Sequence, residues 1–426
     1  MKTVQQVSRP AIDLYEDEYP YVDPLQGLTV QIPNLRIAYP TTYCPIDDPI
    51  TDYYGTYVFE AQYLLASNKF LVKDFVIASL QAHPASKEIV KILTELHFNK
   101  RRLPQRTEMV PPILHYLKRT GCGTIDDAMA VLHSVSVYLF NGGDGAWDEC
   151  IDFAAMHVNI MLDTTLFCAS NPLQLCDAKT AFIIKTAIWF DVLASITTQK
   201  TPRLRAVIDR LFNPSRPHIR ELGDPSSDQC SMLSPMGCEN DVVWALSEIS
   251  SLADWKSEQQ SKAVLSIPEL VAKSKVIEQC LDNLVYNQPC REDVNTTSQY
   301  SASNIFRAAA HLYLATVVSG DFPLVSDVFD KVRKTYFAIT NIPNEILQPV
   351  IRSTVFASFL CGCLSTDPDQ RNYIKSLLMV PEQSTEIGNC KSIVTLLESI
   401  WESSDANRSR PVSWRDSLKS KHILLV

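Results

Sequence analysis

With 426 residues, 46% of them hydrophobic and 20% charged, the chain can build a large core and leaves only short segments for disorder. A formal charge of −9 repels a phosphate backbone and an anionic lipid surface, which disfavours direct nucleic-acid or membrane binding. The 12 cysteines are dispersed and contain no CxxC pair. A zinc cluster needs closely spaced thiolates, so neither metal nor a disulfide framework is expected.

Residues 1–50 hold seven prolines, five tyrosines and seven acidic residues against three basic ones. That composition interrupts helices and predicts an extended arm, either a strap along the body or a short docking or activation segment at DLYEDEYPYVDPL. From Tyr53 the period turns helical: Tyr57, Ala61, Leu64 and Leu65, then Phe75, Ile77 and Leu80, then Ile89, Ile92, Leu93 and Leu96 predict two or three short helices. The basic cluster Lys100, Arg101, Arg102 and Arg106 reads as a solvated helix end or loop.

Paired prolines at 111 and 112 suit a helix start, and GCGT at 121–124 ends that helix and offers Thr124 as the next cap. Asp126 and Asp127 then fall in a first turn, where negative charge offsets the positive helix end. NGGDG at 141–145 breaks the chain before a helix from Trp147 to Leu166 through Phe153, Met156 and Ile160, and another follows from Ala178 to about Thr197. Pro214, Pro217, Pro225 and Pro235 with many Ser and Asp predict a long irregular loop near 213–240.

Helices are predicted again at 242–255 and 267–284, and, after a polar linker from Thr296 to Asn304, from Ile305 through Ala308, Ala309, Leu312, Thr316 and Val317 to a left-handed stop at Gly320. Val325, Val328, Phe329, Val332, Tyr336 and Ile339 form the next stripe, and Ile393, Leu396, Leu397, Ile400 and Trp401 the last. The expected fold is all-α, a multi-helix array of antiparallel pairs over 51–426 with an extended N-terminal arm. The N-terminus lacks the apolar segment of a signal peptide, and the apolar run at 355–364 is too short to span a bilayer. An intracellular chain is expected, with the sequons at Asn295 and Asn407 unused.

Catalytic patterns are weak. Asp47, Asp48 and Asp52 resemble the aspartate cluster of helical terpene synthases, but the spacing is one residue too long and Pro49 interrupts the presenting helix. The eight histidines are dispersed, no G-x-S-x-G elbow or phosphate-binding glycine loop occurs, and neither an enzyme nor a cofactor is expected. His311, on an apolar helix, reads first as a satisfied core histidine and second as the lining of a pocket beside the Ala308–Ala310 run. Cys361-Gly362-Cys363 reads as a close helix crossing rather than a metal site.

AIWFDVLAS at 187–195, MGCENDVVWALSEISSLADWK, FRAAAHLYLATVVSGDFP, CGCLSTDPDQR, IWESSD and SWRDSL occur in an order that resembles the helical regulatory domain of fungal zinc-cluster transcription factors, over roughly Tyr53 to Val426. The resemblance implies transcription regulation in the nucleus through protein partners of the transcription machinery or a small-molecule effector. It supplies no catalytic residues. Trp189, Asp191, Arg307, Tyr313, Gly320, Asp321, Cys361, Gly362, Arg371, Trp401 and Trp414 match the family pattern and are expected to be architectural. An unrelated helical scaffold is the alternative, with a terpenoid-type enzyme third. Target genes and oligomeric state are not legible.

Overall fold

Thr124 opens a helix in the predicted way: its hydroxyl accepts from the Asp127 N–H, and the Asp127 carboxylate accepts from the Thr124 N–H, a reciprocal capping box. Such local signals recur through a computed structural model that describes residues 49–99, 107–119, 124–165, 172–215, 229–283, 294–379, 387–406 and 412–426. The expected arm lies almost wholly outside the described residues, as does the middle of the 213–240 loop. Among the described residues every regular element is helical.

Pro49–Tyr53, a π turn at Tyr54–Val58 and Phe59–Gln62 form one irregular helical segment. The longer helices are α1 (Lys69–Ala82), α2 (Pro84–Asn99), α3 (Val110–Arg119), α4 (Ile125–Phe140), α5 (Trp147–Thr165), α6 (Ala178–Thr198), α7 (Arg205–Phe212) and α8 (Asn240–Ser261). After them come α9 (Ile267–Asp282), α10 (Val294–Ser319), α11 (Ser326–Thr340), α12 (Leu347–Ser353), α13 (Val355–Leu364), α14 (Pro368–Leu378), α15 (Cys390–Ala406) and α16 (Trp414–Lys421). Short connections fold neighbours back on one another, so α1/α2, α4/α5, α8/α9 and α10/α11 pack as antiparallel pairs.

Two helices organise the array. Every residue of α6 from Ala181 to Thr197 is buried, and the helix packs on α4, α5, α8 and α16. By length and composition it could cross a bilayer, which run length alone had not indicated. Of its most apolar window 94% is buried by other helices, the position of a core helix. The second organiser, α10, packs on α8, α9, α11, α12 and α13, and it begins at Val294: the stretch 296–304 expected as a polar linker is helical, its Gln299 and Ser303 buried and hydrogen-bonded to other segments. Gly320 stops it at φ +85°, where an added Cβ would lie 2.6 Å from the Phe322 ring.

Several predicted stripes are trimmed. Leu64 and Leu65 fall beyond the helix end at Gln62, because Tyr63 leaves the helical region at φ −119° and ψ 54°. On α11, Val328, Val332 and Ile339 are buried while Val325 and Phe329 are exposed, since only one side meets α10 and α13. Met156 and Ile160 on α5 are exposed for the same reason. Lys185, buried inside α6, donates to the Ser231 and Ser234 carbonyls at 3.0 and 2.8 Å and so ties down the far end of the proline-rich loop.

Candidate functional site

Most of the residues expected to be architectural lie at ties between helices. Asp191 on α6 accepts from the Leu204 N–H at 2.7 Å and faces the Arg203 guanidinium at 3.4 Å, while Arg203 also reaches Asp148 and Asp152 on α5. Burial raises the Asp191 pKa, and the Leu204 N–H and Arg203 oppose that rise. Trp189, on nearly the opposite side of α6, meets Phe306 of α10 edge-on at 5.0 Å. Arg307 on α10 faces Glu239 at 3.9 Å, and the Ser303 hydroxyl donates to the same carboxylate.

A second group joins the end of α10 to α16. Trp414 donates its indole N–H to Asp321 at 2.9 Å, and Arg415 pairs with the same carboxylate and donates to Thr316. The Arg415 guanidinium lies 4.3 Å over the Trp414 ring and 5.6 Å over Tyr313. In a third group Arg371 caps the end of α13 through the Ser365 carbonyl at 2.8 Å, grips Asp405 with one guanidinium nitrogen and covers Trp401. Trp401 donates to the Gly362 carbonyl at 2.9 Å. A Cβ at Gly362 would lie 3.1 Å from Leu397, so α13 and α15 cross where the glycine lets them. Beside it the Cys361 thiol is fully buried and pushed up to about 12.

Two of the spaces between helices are lined by residues singled out above, Arg307 and Trp189. A groove of about 1090 Å³ between α10 and α11 is lined by Arg307, Ala308, His311, Lys331, Arg333 and Lys334, with Asp282 at one edge. His311 is not the satisfied core residue expected: its Nδ1 is buried with no partner, and Nε2 is 3.6 Å from Asp282. Burial first, then neighbouring Lys331, pull its pKa to about 4. Ala309 and Ala310 are buried, so of the alanine run only Ala308 reaches the groove.

The other space is a cavity of about 130 Å³ bounded by the N-terminal segment, α4, α6, α12 and the start of α15. Trp189 lines it, with Leu132, Phe140 and Met236, and Arg352 enters from α12. The sequence reading passed over Arg352, although an arginine inside VIRSTVFASFL was a visible anomaly. Asp52 stands alone among the described residues of the aspartate cluster, because Asp47 and Asp48 lie outside them. Among the described residues no three His, Cys, Asp or Glu side chains converge on a metal position.

Comparison with known proteins places these features in one family. A profile described as a fungal specific transcription factor domain matches residues 114–426. Transcription factor ntnD of a Nectria species is 24% identical over 265 residues, covering 57% of this chain and 41% of its own length. The trichothecene biosynthesis transcription regulator TRI10 of Fusarium sporotrichioides is 26% identical over 182 residues, covering 42% and 41%. The ustiloxin B cluster transcription factor ustR of Aspergillus flavus is 25% identical over 180 residues, covering 40% and 30%. The chain thus spans less than half the length of these relatives. No solved structure matches it. With the profile spanning most of the chain, this protein belongs to the family of the fungal specific transcription factor domain.

Proposed function

We propose that the chain is the regulatory body of a pathway-specific fungal transcription regulator, working in the nucleus through the transcription machinery or a small effector while another segment or polypeptide reads DNA. The carrying observation is the family match over 114–426 on an all-helical body. The charge of −9 and the lack of CxxC pairs in the sequence support leaving DNA reading to another part. In this reading the signature residues Trp189, Asp191, Arg307, Tyr313, Gly320, Asp321, Cys361, Gly362, Arg371, Trp401 and Trp414 are architectural. No reaction is assigned to the chain. Several relatives are named as regulators of biosynthetic clusters, which supports a pathway-specific role here.

Tethering the chain to a foreign DNA-binding domain in a fungal cell tests the reading, because the fusion supplies the DNA contact. Reporter transcription should change, upward or downward. A fusion that is nuclear, folded and abundant yet leaves the reporter unchanged under varied nutrients would favour the scaffold alternative.

A further inference from the structure

Among the described residues that line the cavity beside Trp189 there is one guanidinium and no Asp or Glu. Arg352 sits in the last turn of α12, just before the chain turns by 84° into α13. Among the described residues no ion pair or hydrogen bond joins its guanidinium to another group, and the side chain is half-buried, so its N–H groups keep access to solvent or to a ligand. Burial lowers its pKa, and the opposing influence comes from the Cys390 thiol, which burial in turn pushes up and so keeps neutral near pH 7. A half-buried guanidinium whose N–H groups have no acceptor among the described residues is open to a ligand that supplies one.

The rest of the cavity has a consistent chemistry. Leu132, Phe140, Trp189 and Met236 supply apolar walls. Gln62 also lines it; its carbonyl oxygen accepts from Tyr54 at 2.7 Å, while its amide Nε2 is buried without a partner. The Gln62 amide and the Arg352 guanidinium thus both offer donors to the cavity. Arg offers only donors, in a planar fork matched to a carboxylate. The volume of about 130 Å³ is close to the roughly 150 Å³ cavities that take a benzene ring. Val426 lines the cavity too, but Asn389 donates to its oxygen at 3.0 Å, and no ion pair joins it to Arg352.

We infer that this cavity binds a small organic monocarboxylate with a compact apolar body, its carboxylate on Arg352 and its body against Trp189 and Leu132. The inference deepens the small-effector part of the function proposed above. The two fail separately: binding is read on purified protein, and regulation is read from the reporter.

Binding is tested on the full chain with benzoate, phenylacetate and 4-methylpentanoate as probes, and with benzamide and inorganic phosphate as controls. Thermal melting and tryptophan fluorescence give the readout. At least one carboxylate should raise the melting temperature and alter fluorescence, with benzamide at least about tenfold weaker because it lacks the charge. Arg352→Met should weaken binding at least about tenfold while the ligand-free protein melts close to the parent, since the substitution breaks no hydrogen bond or ion pair among the described residues and keeps an apolar stem. Arg352→Lys should keep weak binding. The inference is overturned if all three carboxylates leave both signals unchanged at about 10 mM. It is also overturned if phosphate binds as well as they do, or if Arg352→Met unfolds or destabilises the chain, the mark of a structural arginine.

Discussion

His133 shows how much a single buried group can set the pH response. It is fully buried between the Tyr54 and Tyr63 hydroxyls, each 3.3 Å from its Nε2, and burial lowers its pKa from 6.5 to about 4. Between those values the unfolded chain binds a proton that the folded chain refuses. The contribution is whole above pH 6.5 and is lost as pH falls towards 4, on the order of 3 kcal/mol in total. His133→Gln should therefore flatten the fall in urea-unfolding stability between about pH 7 and about pH 4.5. An unchanged slope would assign the acid response elsewhere, with His311, also lowered to about 4, the next residue to replace. Asp321 carries a different kind of load, since it accepts from both Trp414 and Arg415 at a half-hidden site. Asp321→Ala should cost roughly 2–4 kcal/mol in chemical denaturation, because both donors lose their acceptor. A loss below about 0.5 kcal/mol would show that water replaces the carboxylate without penalty.

Among elements, the C-terminal segment is tied to the body at several points. Trp414, Leu418, Leu424 and Leu425 are buried, and the His422 ring stacks on Trp147 at 4.4 Å. Tail carbonyls accept from Trp147, Thr197 and Asn389, and the Leu424 N–H donates to Gly143. Each buried side chain contributes up to about 1.5–3 kcal/mol, so deleting residues 413–426 should remove much of a typical folding margin. A truncated chain that melts like the parent would contradict this. The apolar tail ILLV made docking legible in the sequence, as did the Thr124 box, the Gly320 stop and the Gly362 crossing, because each is written in local residue types. Other features depend on distant partners. Arg203 and Arg415 have no local mark that tells an interhelix clamp from a solvated charge, and the donor-rich cavity exists only where Gln62, Trp189 and Arg352 meet across three segments. The π turn at Tyr54–Val58 was hidden for the opposite reason, since its sequence keeps an ordinary helical spacing.

At the scale of the molecule, the family match and the core have different edges. The profile begins at residue 114, yet Tyr54 and Tyr63 meet His133, and the Tyr63 and Phe75 rings pack on Phe182 of α6 at 5.3 and 5.2 Å. Helix α2 packs along α4, and Gln299 on α10 donates to the Leu65 carbonyl at 2.6 Å, reaching across 234 residues of chain. One continuous set of buried apolar side chains therefore runs from Tyr54 to Leu425. Removing the segment before the match would strip α4 of its cover and leave the Gln299 amide without that carbonyl. A fragment of residues 114–426 should consequently aggregate or unfold without a sharp transition, whereas residues 49–426 should unfold in one cooperative step in urea. Coincident tryptophan-fluorescence and circular-dichroism transitions for the longer fragment are the measurement. If the shorter fragment were equally cooperative and monomeric, the first helices would be an appendage, and the cavity they help enclose would have to be redrawn without Gln62.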